Sequence, residues 1–419
     1  PKGNLLKISG YKRGSMSTSL LYHGFGLVGY DYVHSRYQEG AILFSARRKR
    51  GKFRCPECRS RDVILRGTLS RRFRMVPIGS KRVFLDYEVQ RLECRRCGKI
   101  RQEKLGFADP RFSYCHAFER YALELSRHMT IQDVARHLGI SWDTIKEIQK
   151  RDLTKRFSRP CLKNVKRIAL DEISVRKGHH YLTVVLDMDT GAVIFVGDGK
   201  GGDALDPFWQ RLRRARAKVK AVAMDMSPAY ISAVLDHLPD ATIVFDHFHV
   251  IKLFNDKLSD LRRDLYRETK ESLKKSVLKG TRWLLLKNPE NLDPDKKEKE
   301  RLAEALKLNE PLSCAYYLKE DLRQIWAQPN KEIAERVFTD WIKRAQATGI
   351  KMLKTFAKTL AAYKSGILAY YDYPISSGPL EGTNNKIKTM KRMAYGFRDM
   401  EFFKLKIMAL HEAKYALVG

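Results

Sequence analysis

Three strands in a meander, then helix, strand, helix and strand, run between residues 165 and 254, and an unbroken helical pattern follows from about 255 to 370. With two Cys-x-x-Cys pairs upstream, these features predict a multidomain α/β protein. The strand order is that of an RNase H-like sheet. Residues 161–254 are therefore expected to form the first part of a catalytic core, 255–370 an all-α insertion, and 371–419 the C-terminal helices of the core. Ahead of them come a β-rich segment over 1–50, a zinc ribbon over 51–108 and a helix-turn-helix over 109–160. Met16 opens the β-rich pattern, so residues 1–15 are set aside as an upstream extension or an expression-derived tag.

The 419 residues carry 81 Lys and Arg against 48 Asp and Glu, a formal net charge of +33, and 43% of them are hydrophobic, enough to build cores rather than a disordered basic tail. The charge therefore belongs on folded surfaces, where its counterpart is a polyanion. Nucleic acid is the expected partner. No membrane is expected, because no run approaches the roughly 18–20 apolar residues that a spanning helix needs, and no signal-peptide pattern is present.

Cys55 and Cys58 in CPEC and Cys94 and Cys97 in CRRC form two knuckles, each able to place two thiolates on one tetrahedral ion. The 35 residues between the knuckles alternate apolar and basic around Gly79-Ser80, so a β-hairpin is expected to bring the pairs together on one structural zinc. Cys115, Cys161 and Cys314 are isolated and read as buried small hydrophobes.

TIQDVARHLGISWDTIKEIQK, residues 130–150, has the pattern of a helix-turn-helix. Ile131, Val134, Ala135 and Leu138 mark one short amphipathic helix, Gly139 the turn, Ser141 an N-cap, and Trp142, Ile145 and Ile148 the buried stripe of a second helix. Asp143, Thr144, Lys146 and Lys150 are then expected to face a DNA groove, although a plain αα-hairpin uses the same spacing.

Within the core, VKRIALDEISV (165–175) is the first strand and VKAVAMD the fourth, and in a mixed sheet of this order the two can lie side by side. That would place Asp171 and Asp225 a few ångströms apart. An oxygen-only site of this kind selects Mg²⁺ or Mn²⁺, two of which can serve a phosphodiester reaction. Glu381 is the third acid, heading a helix on which Asn385, Lys388 and Arg392 share a face while Ile387, Met390 and Ala394 supply an apolar one. Asn384, Asn385, Lys388, Lys391 and Arg392 are expected to grip phosphates. The insertion tryptophans Trp283, Trp326 and Trp341 read as core, and NPENLDPDKKEKER (288–301) as an exposed loop.

Together with LDEISVRKGHHYLTVVLD, AVAMDMSPAY, IVFDHFHVIK and EGTNNKIKTMKRMAYGFRDMEFFKLKIM, the ribbon and the helix-turn-helix resemble the ISL3 family of bacterial insertion-sequence transposases. The resemblance covers nearly the whole chain from about residue 17. It implies a DDE transposase whose triad is Asp171, Asp225 and Glu381, and maps a further motif onto Asp246 and His249. It also implies binding of terminal inverted repeats in double-stranded DNA, strand cleavage that frees a 3′-hydroxyl, and attack of that hydroxyl on target DNA. Because two ends are processed together, a homodimer on DNA is expected, working in the bacterial cytoplasm at the nucleoid. A domesticated relative acting as a sequence-specific regulator and an RNase H-like nuclease are the alternative readings.

Overall fold

The structure, a computed structural model, describes residues 20–49, 53–176, 178, 180–268, 281–307 and 309–412. The expectation for residues 1–15 lies outside the described residues, as does part of the predicted helical run near 271–280. The chain divides into two compact units after Asp152.

The first unit is organised by one long hairpin. Strand β3 (Val63–Ile78) pairs antiparallel with β4 (Lys81–Cys94) through the expected turn, in which Gly79 takes a φ of 56° that a side chain would disfavour. Val83, Leu85, Tyr87 and Val89 alternate into the core along β4. The N-terminal segment joins the same sheet. After a short α1 (Leu20–His23), β1 (Tyr30–Gln38) and β2 (Ala41–Arg48) form a hairpin, and β2 runs parallel to β4 to give the order β1-β2-β4-β3, with β5 (Ile100–Gln102) on the far end of β4. Helices α2 (His116–Leu125), α3 (Ile131–Leu138) and α4, which runs Trp142–Phe157, follow, and α2, α3 and the first turns of α4 bury their apolar faces in the same core. Arg74 of β3 is 7% exposed and donates from Nη2 to the Leu138 carbonyl at 2.9 Å, which ties the ribbon to the end of α3. Ribbon, N-terminal hairpin and helix-turn-helix thus share one interior.

The hairpin carries the four cysteines to one point. Cys55 Sγ lies 3.7 Å from Cys97 Sγ, Cys58 Sγ 3.5 Å from Cys94 Sγ, and all four sulfurs fall within 4.8 Å of one another. A zinc ion about 2.3 Å from each sulfur of a tetrahedron needs sulfur–sulfur edges of roughly 3.8 Å, so the set fits one structural zinc. Each knuckle closes with a left-handed residue just after its second cysteine, Arg59 in one and Gly98 in the other. The backbone N–H of Cys58, aimed at the Cys55 sulfur, brings that thiol down to about 7.

In the helix-turn-helix, Thr130 caps α3 by accepting from Asp133 N at 3.1 Å, Gly139 ends it at φ 62°, and Ser141 Oγ accepts from Thr144 N at 3.2 Å. Trp142 departs from expectation. It is 43% exposed, because the buried stripe of α4 begins at Ile145 and continues through Ile148 and Gln149.

The second unit contains the mixed sheet. Strands β6 (Arg167–Arg176), β7 (His180–Asp187) and β8 (Val193–Asp198) form the antiparallel meander. Then β9 (Ala221–Met224) pairs parallel to β6, and β10 (Thr242–Phe245) parallel to β9, giving the order β10-β9-β6-β7-β8. Every residue of β9 is buried, as expected for a strand covered on both faces, and α5 (Asp206–Ala215) and α6 (Pro228–His237) make the connections around it. Helix α7 (His247–Glu268) leads into the helical insertion. Trp341 is fully buried there with its indole N–H on the Leu318 carbonyl at 2.8 Å, and Trp326 is partly buried. Trp283 is 66% exposed and so is not core. The expected loop over 288–301 ends early: Glu298 opens the helix Glu298–Lys307, is buried, and accepts from Lys287 Nζ and from the Asp293 N–H. Of the isolated cysteines only Cys115 is buried, capping α2 by accepting from Phe118 N; Cys161 is exposed and Cys314 half-buried.

Gly366, in the short helix Lys364–Leu368, lies against β10 so closely that a Cβ would sit 2.4 Å from the Phe245 ring. Gly366→Ala is expected to destabilise the second unit by about 1–3 kcal/mol, read as a lowered calorimetric midpoint; an unchanged midpoint would contradict this packing. For the first unit, elemental analysis is expected to find one zinc per chain, and Cys94→Ser to remove it.

Candidate active site

Parallel register brings the first two acids together. Arg167, Ile168 and Ala169 of β6 lie opposite Ala221, Val222 and Ala223 of β9, and Asp171 and Asp225 each follow the last of these pairs by two residues. Two residues along a strand returns to the same face, so the carboxylates stand level, Asp171 midway along β6 and Asp225 just past the end of β9. The neighbouring Glu172 turns the other way, towards the Tyr230 hydroxyl.

The surroundings of Asp171 are specific. Its Oδ1 accepts from the Glu172 N–H at 2.8 Å and lies 3.9 Å from His249 Nε2, while Oδ2 accepts from Asn384 Nδ2 at 2.7 Å. Burial pushes the Asp171 carboxyl above its usual range and the negative charge of Asp225 adds to this; His249 and Lys252 work against it. Asp225 Oδ1 accepts from Ser227 N at 3.0 Å, in the turn that starts α6.

Asp246 joins the elements that carry these groups. It is 1% exposed. Its backbone N–H donates to the carbonyl of Met224, the residue before Asp225, at 3.1 Å. Its Oδ2 receives a hydrogen bond from Ser377 Oγ and lies 3.3 Å from His249 Nδ1. Burial would raise the Asp246 carboxyl, but the His249 and Ser377 side chains hold it below its ordinary range. The Asp246 carboxylate in turn raises His249 above the usual histidine value, against the opposing effect of burial.

Ser377 precedes the helix Gly378–Met393, and its carbonyl accepts from Glu381 N at 2.8 Å. Glu381 is exposed in the first turn. Among the described residues only the four cysteines bring three or more candidate ligand atoms within 4.8 Å of one another, so the three carboxylates stand wider than that. It is Asn384, one turn after Glu381, that reaches Asp171. Asn384 Oδ1 is buried with no hydrogen-bond partner among the described residues.

The helix sorts the candidate DNA-contacting residues. Asn385, Lys388 and Arg392 are exposed on the side of Glu381, as their spacing implies. Asn384 and Lys391 face inward with the buried Ile387, and Lys391 Nζ donates to the Val175 carbonyl at 3.0 Å, so both tie the helix to β6. Of the apolar trio, Met390 is half-buried and Ala394 exposed. On α4, Asp143 is exposed and Thr144 bonds Ser141 Oγ at 2.8 Å. Lys146 has only 18% of its side chain exposed, and Lys150 is half-buried. Sequence reasoning missed the part of Ser377, whose only signal was its place in a turn before a helix, and that of Lys252, which carried none.

Three family profiles match the chain: "zinc-finger of transposase IS204/IS1001/IS1096/IS1165" over residues 51–97, "Helix-turn-helix domain of transposase family ISL3" over 103–152, and the ISL3 DDE domain, "Transposase", over 168–407. The transposase for insertion sequence element IS1001 of Bordetella parapertussis is 35% identical over 85% of this chain and 88% of that protein. The transposase for IS1557 of Mycobacterium tuberculosis is 29% identical over 82% of each. Among solved structures, the Drosophila P element transposase strand transfer complex matches 71% of this chain and 92% of that one, at 12% identity and a TM-score of 0.40. No helix of the described residues is long and apolar enough to cross a membrane. With the catalytic-domain profile spanning more than half of its length and a relative alike almost end to end, this chain belongs to the ISL3 family of transposases.

Proposed function

We propose that this transposase binds the terminal inverted repeats of its element through the first unit, cleaves there, and joins the freed 3′-hydroxyl to target DNA, with Asp171, Asp225 and Glu381 as its catalytic acids. The observation that carries this reading is the β6–β9 register, which sets two carboxylates level, together with the Asn384 bond that brings the Glu381 helix onto one of them.

The donors are all oxygens, Asp171 is raised by burial and by Asp225, and Asn384 Oδ1 is left over, so the set fits a hard divalent cation such as Mg²⁺ or Mn²⁺. Two such ions would polarise the attacking oxygen and stabilise the leaving oxygen of a phosphodiester. The chain's own residues orient the acids. Asn384 fixes the Asp171 carboxylate, Asp246 fixes His249 beside it, and Ser377 fixes the turn from which Glu381 projects. Asn385, Lys388 and Arg392 present an amide and two cations to the DNA backbone alongside Glu381. On α4, exposed Asp143 with the half-buried Thr144 and Lys150 offers the polar face for a groove, while Lys146 is largely covered and would have to swing out to reach it. The chain acts as a homodimer holding two ends, at the nucleoid of a bacterial cytoplasm.

The test is joining of a pre-cut end to plasmid. Asp171→Asn, Asp225→Asn and Glu381→Gln are each expected to lower joining by about a thousandfold or more while leaving affinity for end DNA within a few-fold, since they remove chemistry rather than phosphate contacts. Joining that survives any of the three, or survives a chelator, overturns the assignment. A milder loss is expected of Asn384→Ala, about ten- to a hundredfold, because it frees Asp171 without removing a carboxylate.

A further inference from the structure

A cavity of about 710 Å³ opens between the start of α7 and the 3₁₀ turn Gln324–Ala327 of the insertion. It backs onto the candidate active site through Asp246. That carboxylate lies 3.3 Å from His249 on the Asp171 side and 3.4 Å from His247, which lines the cavity. Three rings meet there: His247 lies 4.1 Å from Phe248 and 5.9 Å from Trp326, centroid to centroid. Phe248 is 50% exposed, and a side chain at Gly378, the first residue of the Glu381 helix, would meet its ring at 3.7 Å. A large aromatic left half-uncovered at the rim of a cavity, rather than in the adjacent core, offers a face for stacking.

The polar inventory is equally specific. Four buried polar atoms of the lining have no hydrogen-bond partner among the described residues; His247 Nδ1 and Glu320 Oε1 lie beside the charges of Asp246 and Lys319, at 3.4 and 2.7 Å, which leaves the Trp326 indole donor and the Asn255 amide acceptor for a ligand. Lys252 is exposed one turn after Phe248 on α7 and lines the same cavity. The acids at the far wall, Glu290 and Glu320, are held by Arg323 at 3.1 and 3.3 Å. An aliphatic ligand would leave the indole donor and the amide acceptor unpaired. A flat heteroaromatic ring with donors and acceptors on its edge, trailing a phosphate towards Lys252, pairs both of these.

We propose that this cavity receives one unpaired nucleobase of the DNA end, turned out of the duplex next to the scissile phosphate. The proposal rests on the reading of the acids as the cleavage and joining site. Extruding a base costs least where its pairing is already broken, at a cut or frayed end, so the cavity favours an end poised for joining.

The experiment uses the full chain and duplexes carrying a pre-cut element end, with a single abasic nucleotide placed in turn at each position near the cut. At one position the missing base is expected to weaken wild-type binding about tenfold, within the range for base–aromatic stacking. Phe248→Ala, at a half-exposed site where folding is not at stake, is expected to weaken the intact end by a similar factor and to lose nothing more on the abasic one. Trp326→Phe, which removes the indole donor but leaves an aromatic ring, is expected to weaken the intact end by a smaller factor than Phe248→Ala and to lose nothing more on the abasic one. Losses that multiply rather than overlap, or an absence of any sensitive position in a chain that still joins ends, overturn the cavity proposal alone. A wild-type chain with no preference for the element end over a scrambled duplex overturns the functional reading and the cavity with it.

Discussion

The parallel pairing of β6 with β9 is the constraint on which the second unit turns. Apart from Arg167 at the edge, both strands are apolar where they pair, and β9 is buried on both faces, so the register is set by packing and not by the acids that follow. The acids inherit it. A slip of one residue would put Glu172 where Asp171 stands and turn a short carboxylate into a long one on the wrong face. Two carboxylates held level on neighbouring strands are an unfavourable arrangement by themselves: burial pushes Asp171 above its usual range, and the charge of Asp225 adds to it. The fold keeps them because the hydrophobic pairing beneath is worth more than their repulsion.

Asp246 extends that constraint to the rest of the site. Its backbone fastens to the end of β9 and its carboxylate takes Ser377 and His249, so one buried anion links the strand before Asp225, the helix that bears His249 and the turn ahead of Glu381. A buried carboxylate is tolerable only when its oxygens are occupied, and here their occupants are the groups that position the other acids. Glu381, by contrast, is exposed, and among the described residues it is held through the backbone of its helix. The site is thus rigid in two of its acids and adjustable in the third.

Sequence conveyed the periodic features well. The hairpin around Gly79-Ser80, the caps at Thr130 and Ser141, and the three-plus-two strand order all rest on local rules, and the structure has them. What escaped depends on which of several equivalent faces wins. Asn384 and Asn385 are adjacent and chemically identical, yet one bonds Asp171 and the other faces solvent, because only the first falls in line with Ile387 and Lys391. Trp142 and Trp283 lie outside the core for a similar reason: their size suggested burial, but each sits at or beside a helix N-terminus, where one side of the turn is open. That the N-terminal hairpin shares a sheet with the ribbon could not be read from spacing, since the β2–β4 pairing passes over the first knuckle and the whole of β3.

The charge pattern gives the order in which these parts can act. A chain of +33 attracts DNA from a distance, and that attraction is indifferent to sequence and weakens with salt. Locally, however, the candidate site is acidic and would repel a phosphate brought in alone. Lys252 and His249 favour the charged form of Asp171, and Lys388 and Arg392 follow Glu381 along the exposed face of its helix. Attraction to the basic surfaces therefore acts before any approach to the acids, which by themselves repel a phosphate. That order suits an enzyme that must find its ends before it cuts, since stray duplex gains contacts to the basic surface but meets repulsion at the acids.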